Sequence, residues 1–161
     1  MIGDWTVAVR VLIAAGLGAS IGFEWELRDQ PAGLRTHMLV ALGSCLFTLV
    51  SAYGFHQAAA SPSSQAIRVD VTRVASQIVV GIGFLGGGTI LRHGGTVWGL
   101  TTAATLWVVA AIGLATGVGY YSSALIVTAV AIVSLEGLKP LEKKIARSAK
   151  RTEEPSEPRE P

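Results

Sequence analysis

The sequence predicts an all-α, polytopic membrane helix bundle with about five transmembrane helices and a glycine-rich third helix. Half of its 161 residues are hydrophobic and only 15% are charged, whereas soluble domains carry about 25% charged residues. The mean hydropathy is +0.51. The apolar residues are gathered into runs that approach the ~20 residues needed to cross a bilayer. This composition excludes an ordinary soluble domain.

Five apolar runs define the expected spans, and they cover residues 5–23, 37–55, 74–91, 100–116 and 120–135. Asp4 precedes the first run, and four further runs follow it, so we expect a retained helix here rather than a cleaved signal peptide. The last three runs are near the lower length limit for a spanning helix. Residues 1–138 are therefore expected to form one transmembrane domain.

Lysine and arginine near the span ends predict the orientation. The densest group follows the fifth span and begins at Lys139, Lys143 and Lys144. Because basic residues favour the cytoplasmic side, we expect a cytoplasmic C-terminus and, with five spans, an external N-terminus. Residues 139–161 are expected to be a basic juxtamembrane segment and a disordered tail, since TEEPSEPREP lacks apolar residues. The basic part fits either an interfacial helix or a solvated flank.

The third run contains no formal charge between residues 74 and 91, yet it holds five glycines. In a soluble helix each interior glycine costs about 1 kcal/mol relative to alanine. In a membrane, small residues instead let neighbouring helices approach closely, often at GxxxG spacing. We therefore expect the third helix to be the packing centre of the bundle. The expected packing residues are Gly18, Gly22, Gly81, Gly83, Gly86 and Gly87.

No catalytic pattern emerges from the sequence. Residues 81–86 match the dinucleotide fingerprint GxGxxG, but no acidic residue lies ~20 positions further on and the strand–helix alternation is missing. The three histidines have no metal-ligand spacing, and no Ser/His/Asp set, HExxH motif or Walker sequence is present. Cys45 is the single cysteine, so no intrachain disulfide can form. We expect neither an enzyme nor a nucleic-acid-binding protein.

An acidic cluster follows the first span and consists of Glu24, Glu26 and Asp29. Magnesium prefers carboxylate oxygens and retained water, so these side chains are candidate magnesium-facing carboxylates at a membrane mouth. A second hypothesis is that Glu24 and Arg28, four residues apart, form an ion pair at the helix end. The sequence leaves both hypotheses open.

Polar side chains also lie inside the apolar runs. In the third run, Gln77 is one helical turn from Arg73, which immediately precedes the run. In the fourth run, Thr102 and Thr105 precede Trp107. Such residues line the path of a hydrated ion in some membrane proteins and form hydrogen bonds between helices in others. Both alternatives remain at this stage.

Several ordered motifs resemble the MgtC/SapB family over roughly residues 11–138. They are residues 22–24 (GFE), 32–37 (AGLRTH), 73–77 (RVASQ), 81–86 (GIGFLG), 99–104 (GLTTAA) and 106–107 (LW). The resemblance implies a bacterial inner-membrane protein. In that family, MgtC is linked to growth under magnesium limitation, and its best-supported role is regulation of other membrane proteins. The motif positions that the resemblance marks as functional are Arg35, Arg73, Gln77, Thr102 and Trp107.

Two departures from the family pattern shape the functional hypothesis. Trp25 follows Glu24 where the family often has arginine, and only residues 139–161 follow the last span where MgtC carries an ACT-like domain. The chain is thus similar to the shorter SapB-like form. We expect it to modulate membrane energetics or magnesium homeostasis through contacts with other membrane proteins. The alternative is a transporter or channel for magnesium or another ion, acting as a homo-oligomer. The expected partners are the bilayer and other membrane proteins or a second copy, with Mg²⁺ as the only candidate cofactor.

Overall fold

A computed structural model describes residues 2–28, 30–54 and 71–138. Asp29, residues 56–70 and the predicted basic segment and tail at 139–161 lie outside the described residues. The final residue of the predicted second span, Phe55, also lies outside them.

The described chain is an all-α bundle of five helices, which confirms the predicted fold class. Each helix begins and ends within three residues of its predicted run wherever both are described. The helices are α1 Asp4–Glu26, α2 Leu34–Leu49, α3 Val71–Thr89, α4 Leu100–Val118 and α5 Tyr121–Gly137, and α2 continues into a π-helical turn, Val50–Gly54.

Three of the described helices are long and apolar enough to cross a membrane: Asp4–Glu26, Leu34–Gly54 and Leu100–Val118. Tyr121–Gly137 is a shorter apolar helix of 17 residues, a length at the lower end of the ~17–25 residues that span a bilayer. These helices support the predicted polytopic membrane architecture.

A β-hairpin joins α3 to α4, in the segment between the third and fourth predicted spans. Strand β1, Leu91–His93, pairs antiparallel with strand β2, Thr96–Trp98. Gly94 and Gly95 form the loop with φ of 55° and 88°. Positive φ at both residues is the requirement of the hairpin turn whose twist matches the flanking strands. In the sequence, the Gly94-Gly95 pair therefore indicates a hairpin with a strand on either side.

Helix α1 packs closely against α2 through two glycines. A Cβ atom added to Gly18 would lie 2.7 Å from the Ala41 Cβ, and one added to Gly22 would lie 2.8 Å from the His37 Cβ. Side chains at either glycine would force the two helices apart. The Gly18-x-x-x-Gly22 pair therefore lets the α1 backbone rest directly on α2.

Helix α4 also packs closely through two glycines, on another side of α2. A Cβ atom added to Gly113 would lie 2.9 Å from the Ser44 Cβ, and one added to Gly117 would lie 2.7 Å from the Thr48 Cβ. Helix α2 is thus held between two glycine pairs, one from α1 and one from α4. Gly113 lies in the fourth predicted span and Gly117 one residue beyond it, and no packing motif was predicted there.

The expectation that the third helix forms the packing centre is wrong for this structure. Added Cβ atoms at Gly81, Gly83 and Gly87 would meet no other part of the described chain within 4 Å. Gly86 alone of the predicted α3 set faces a neighbour, with Ala103 at 3.5 Å or more. Glycine permits close approach but does not determine which face of a helix meets a neighbour, and α3 presents most of its glycines outward.

The apolar interior has two parts. The larger cluster joins α1, α2, α4 and α5, and a smaller one joins α3 and the loop before α2 to α4. The buried members of the larger cluster are Ala14, Ile21, Ala41, Cys45, Leu49, Val109, Ile112 and Ala124. Those of the smaller cluster are Ala32, Ile82, Leu106 and Ala110. Cys45 is buried and reduced, as a small apolar side chain within the core.

Candidate functional site

Polar side chains meet at both ends of the bundle. We call the end where α1 finishes and α2 and α4 begin the Trp25 end, because Trp25 joins α1 to α4 there. The opposite end, where α1 begins and α4 finishes, is the Arg10 end, because Arg10 joins the same two helices there.

Trp25 is the centre of a buried hydrogen-bond network at its end. It is 3% exposed, and its indole Nε1–H donates to the Thr102 hydroxyl at 3.2 Å. Thr102 is 1% exposed. The Thr105 hydroxyl lies 2.9 Å from the Thr102 carbonyl oxygen, to which it can donate. A buried indole N–H needs such a partner, so α1 and α4 are held in register at this point.

His37 extends this network to α2. It is fully buried, with Nδ1 2.9 Å from the Gly33 carbonyl oxygen and Nε2 3.2 Å from the Thr105 hydroxyl. A carbonyl oxygen can only accept, so Nδ1 carries the hydrogen. The His37 ring also meets the Trp25 ring edge-on at 6.2 Å between centroids. Within the described chain, every buried side-chain nitrogen and oxygen has a hydrogen-bond partner.

Arg28 gathers two carboxylates beside Trp25. Its Nε donates to Glu24 Oε1 at 2.6 Å, and its Nη2 contacts both Glu24 and Glu136. The guanidinium lies over the Trp25 ring, 5.3 Å from its centroid, in a cation–π contact. The predicted Glu24–Arg28 pair is thus present, and Glu136 adds α5 to it.

Glu26 binds a different partner from Glu24. Its Oε2 accepts the Leu34 backbone N–H at 2.9 Å, one of the donors that the first turn of a helix leaves unsatisfied. Asp29 lies outside the described residues. Among the residues described, no group of three His, Cys, Asp or Glu side chains could hold a metal ion. Glu24 and Glu26 bind different partners, and the magnesium site remains a prediction.

Arg10 closes the opposite end. Its Nη1 donates to the Gly117 carbonyl oxygen at 2.6 Å and to the Tyr53 hydroxyl at 3.1 Å, and its Nε donates to the Tyr121 hydroxyl at 3.3 Å. The guanidinium also lies 5.4 Å from the centre of the Tyr53 ring. Gly117 is in the last turn of α4, where a positive charge interacts favourably with the helix dipole. One side chain therefore ties together α1, the π-helical turn, α4 and α5.

The remaining motif positions are dispersed. Arg35 and Arg73 are exposed in the first turns of α2 and α3. Gln77 is exposed beside a cavity of about 350 Å³ between α2 and α3, which Ser44 also lines. Trp107 is 49% exposed on α4. The structure brings Thr102 into the buried network and leaves the other four outside it.

The residues that link the helices at the two ends were not predicted from the sequence. Arg10, His37, Tyr53 and Glu136 received no role, although each is a polar side chain in or beside an apolar run. A polar group in such a run must find a partner on another helix. That requirement flags these residues, but it does not say which partner each one finds.

A packed helix bundle with several membrane-length apolar helices and hydrogen-bonded polar ends defines a polytopic membrane protein. The MgtC family model matches residues 11–144, and the chain belongs to this family. It is a multi-pass bacterial membrane protein, as the sequence predicted. No solved structure matches the chain.

Named relatives share about two fifths or more of their aligned residues with this chain. The Putative magnesium transporter YhiD of Escherichia coli K12 is 41% identical over 128 residues, covering 80% of this chain and 58% of YhiD. Protein SapB of Bacillus subtilis is 39% identical over 146 residues, covering 88% and 60% respectively. Protein MgtC of Salmonella typhimurium LT2 is 47% identical over 120 residues, covering 74% and 47%. The chain therefore spans about half to three fifths of these relatives.

Proposed function

We propose that this chain is a non-enzymatic inner-membrane protein that modulates membrane energetics or magnesium homeostasis through contacts with other membrane proteins. The name of YhiD, Putative magnesium transporter, supports the connection with magnesium. We choose a regulator over an ion conduit because one observation favours it: side chains join the helices and close the bundle at both ends.

Arg10 and Arg28 both join helices around the same interior. At one end Arg10 binds the α4 terminus and two tyrosines, and at the other Arg28 binds Glu24 and Glu136. The Arg10 guanidinium, whose hydrogen-bond partners are neutral groups, presents an electrostatic barrier to a cation. Between the two ends, glycine contacts hold α1, α2 and α4 at backbone distance. This arrangement supports a static scaffold rather than a cation path through one chain.

The outward face of α3 supports a role in contacts between proteins. Gly83 and Gly87 have the GxxxG spacing and open space beside them, while Val80 and Phe84 are 68% and 85% exposed. The two other pairs at this spacing within the described helices, Gly18-x-x-x-Gly22 and Gly113-x-x-x-Gly117, each receive a helix. We propose that the α3 pair receives a helix from another membrane protein or a second copy.

Magnesium flux tests the distinction between regulator and conduit. The purified chain, reconstituted in vesicles that contain a magnesium-sensitive dye, should give no flux above protein-free vesicles under an imposed magnesium gradient. Flux from the wild-type chain that Glu24→Gln abolishes and Glu26→Gln retains would overturn the proposal in favour of transport. Glu26 is the matched control because its carboxylate binds the α2 backbone instead of Arg28.

Complementation tests the proposed contact face. A strain lacking the chain should grow poorly under magnesium limitation, and the wild-type chain should restore growth. We expect Gly83→Leu to fail in this assay and Gly16→Leu to succeed, although both glycines have open space beside them. Membrane levels of the two variants, measured by immunoblot, must match. Equal complementation by both variants would exclude the α3 face as the contact.

The alternative function is transport of magnesium or another ion by a homo-oligomer. One observation favours it: Glu24 and Glu136 bind the same arginine, so two carboxyl groups lie together at the Trp25 end. A conduit could then form between chains instead of within one chain. The flux experiment separates this alternative from the proposed function.

A further inference from the structure

The β-hairpin between α3 and α4 carries large side chains that the described chain leaves uncovered. Leu91 and Trp98 are paired across its two strands and are 61% and 66% exposed. The next pair, Arg92 and Val97, is also exposed. The hairpin therefore presents an apolar surface with a charged side chain beside it, and its place in the fold indicates what covers that surface.

The hairpin lies at the boundary of the hydrocarbon core. Only Ile90 separates it from α3, and only Gly99 separates it from α4. Helix α4 is one of the long apolar helices and has 19 residues, so it is about 28 Å long, close to the ~30 Å thickness of the core. Both ends of α4 consequently lie near the core boundary, and the hairpin begins where α4 meets the headgroup layer.

A two-stranded sheet cannot lie within hydrocarbon. In the described chain the hairpin has no third strand, so each outer edge presents unpaired backbone N–H and C=O groups. Open sheet edges of this kind do not occur in the lipid-exposed hydrocarbon region. Bulk water, in turn, is unfavourable for the exposed Leu91 and Trp98 side chains. The interfacial layer satisfies both conditions, because it hydrates the backbone and accommodates the amphipathic tryptophan ring.

The order of side chains along the hairpin matches the polarity of that layer. Leu91 and Trp98 lie at the base, next to the helices, and the Gly94–Gly95 loop forms the tip. Arg92 is one residue further from the helices than Leu91, a rise of about 3.3 Å, within a headgroup layer about 5–7 Å thick. Arg92 forms no ion pair with another described residue. Its guanidinium is therefore available to lipid phosphate, which it can bind through two parallel hydrogen bonds.

We propose that the hairpin is an interfacial anchor that binds the phospholipid surface, with Leu91 and Trp98 at the core boundary and Arg92 bound to headgroup phosphate. The partner is the bilayer itself, and the interaction requires no cavity and no particular headgroup beyond the phosphate. The anchor fixes the depth of the adjoining ends of α3 and α4 in the membrane. A regulator and a transporter can both carry such an anchor.

Depth-dependent quenching of tryptophan fluorescence tests the anchor. The full chain is reconstituted in vesicles of choline phospholipids that carry bromine in either the upper or the lower part of the acyl chain. Subtracting the emission of Trp98→Phe from that of the wild type isolates the Trp98 signal, and Trp98→Tyr repeats the subtraction with a second variant. We expect this signal to lose more intensity to the shallow bromine than to the deep one. It should also be protected from iodide in the surrounding water.

Trp107→Phe is the matched control. Trp107 is 49% exposed and lies seven residues beyond the start of the same helix, α4, which places it about 10 Å deeper than Leu100. Its signal should therefore be lost mainly to the deep bromine. Circular dichroism and gel filtration establish that the variants are folded.

Three results would overturn the anchor. Trp98 emission that iodide quenches would show that the hairpin faces water, where a soluble protein partner can reach it. Emission that neither iodide nor bromine reduces would show that the hairpin is buried against protein, including a second copy of the chain. Stronger quenching by the deep bromine would place Trp98 inside the hydrocarbon core.

Arg92→Gln tests the phosphate contact separately. In solid-state NMR of the chain with isotope-labelled arginine, dipolar coupling to lipid phosphorus attenuates the guanidinium carbon signal of any arginine that binds phosphate. We expect Arg92→Gln to lower the attenuated fraction of the arginine signal relative to the wild type. An attenuated fraction that is the same in both chains would refute the phosphate contact.

Discussion

Gly18→Ala places one methyl group at the closest contact between α1 and α2. The added Cβ would lie 2.7 Å from the Ala41 Cβ and 2.9 Å from the His37 carbonyl oxygen, whereas ordinary contacts begin at 3.4 Å. The helices must therefore separate by about 0.7 Å at Ala41, and they lose contact energy along the interface as they do so. Overpacking of this kind costs about 1–3 kcal/mol.

The intrinsic helix preference works in the opposite direction. Replacing glycine by alanine stabilises a helix by up to about 1 kcal/mol. The free energy of unfolding of Gly18→Ala should therefore lie about 1–3 kcal/mol below that of Gly16→Ala, which has the same helix gain without the overpacking. Denaturant-induced unfolding in detergent micelles, followed by circular dichroism, measures this loss. Gly16→Ala, two residues away on the same helix, is the control because its added Cβ meets nothing within 4 Å.

A second substitution isolates the contact. Ala41→Gly removes the Cβ that the new methyl group strikes, so the Gly18→Ala/Ala41→Gly double variant should be more stable than the sum of the single changes predicts. For residues in contact, the expected coupling is about 0.5–3 kcal/mol. If Gly18→Ala proves as stable as Gly16→Ala, the inference that this glycine sets the distance between helices is refuted.

Two further predictions concern the ends of the bundle. Arg10→Gln should lower the free energy of unfolding by about 2 kcal/mol, because hydrogen bonds to a charged group contribute about 1.5–3 kcal/mol; exposed Arg73→Gln is the control, and equal melting temperatures would contradict the role of Arg10. Thr102→Val should cost about 1–3 kcal/mol by leaving the Trp25 indole N–H unsatisfied. Adding Trp25→Phe should then cost less than it does in the wild-type chain, and fully additive unfolding energies would exclude the buried bond.

The helices were predictable because each depends on the hydrophobicity and length of its own segment of the chain. Runs of apolar residues with membrane length predicted all five. The observed boundaries differ from the predictions by three residues at most, except at the end of α2, which stops at Leu49 and continues as a π-helical turn to Gly54 where the predicted run reached residue 55. The hairpin between α3 and α4 was missed, although Gly94 and Gly95 are the residues that its two-residue loop requires. That oversight concerned a local signal, which the sequence did contain.

The candidate site was only partly predictable. The Glu24–Arg28 pair follows from i,i+4 spacing on one helix, and the structure contains it. Its third member, Glu136, lies 108 residues from Arg28, so no local spacing relates them. Glu26 was grouped with Glu24 by sequence proximity, yet it binds the Leu34 backbone instead. Residues two positions apart on a helix, such as Glu24 and Glu26, point in different directions. Proximity in sequence therefore does not establish a shared ligand.

By itself the sequence determined the class of the protein, the number and extent of its helices, and its family. Those properties depend on composition, on the length of apolar runs and on ordered motifs, all of which can be read along the chain. The tertiary structure decided which glycines make contacts. Both α1 and α3 carry the GxxxG pattern, but only the α1 pair meets another helix in the described chain. Contact depends on how each helix is rotated about its axis, and that rotation is set by all of its neighbours together.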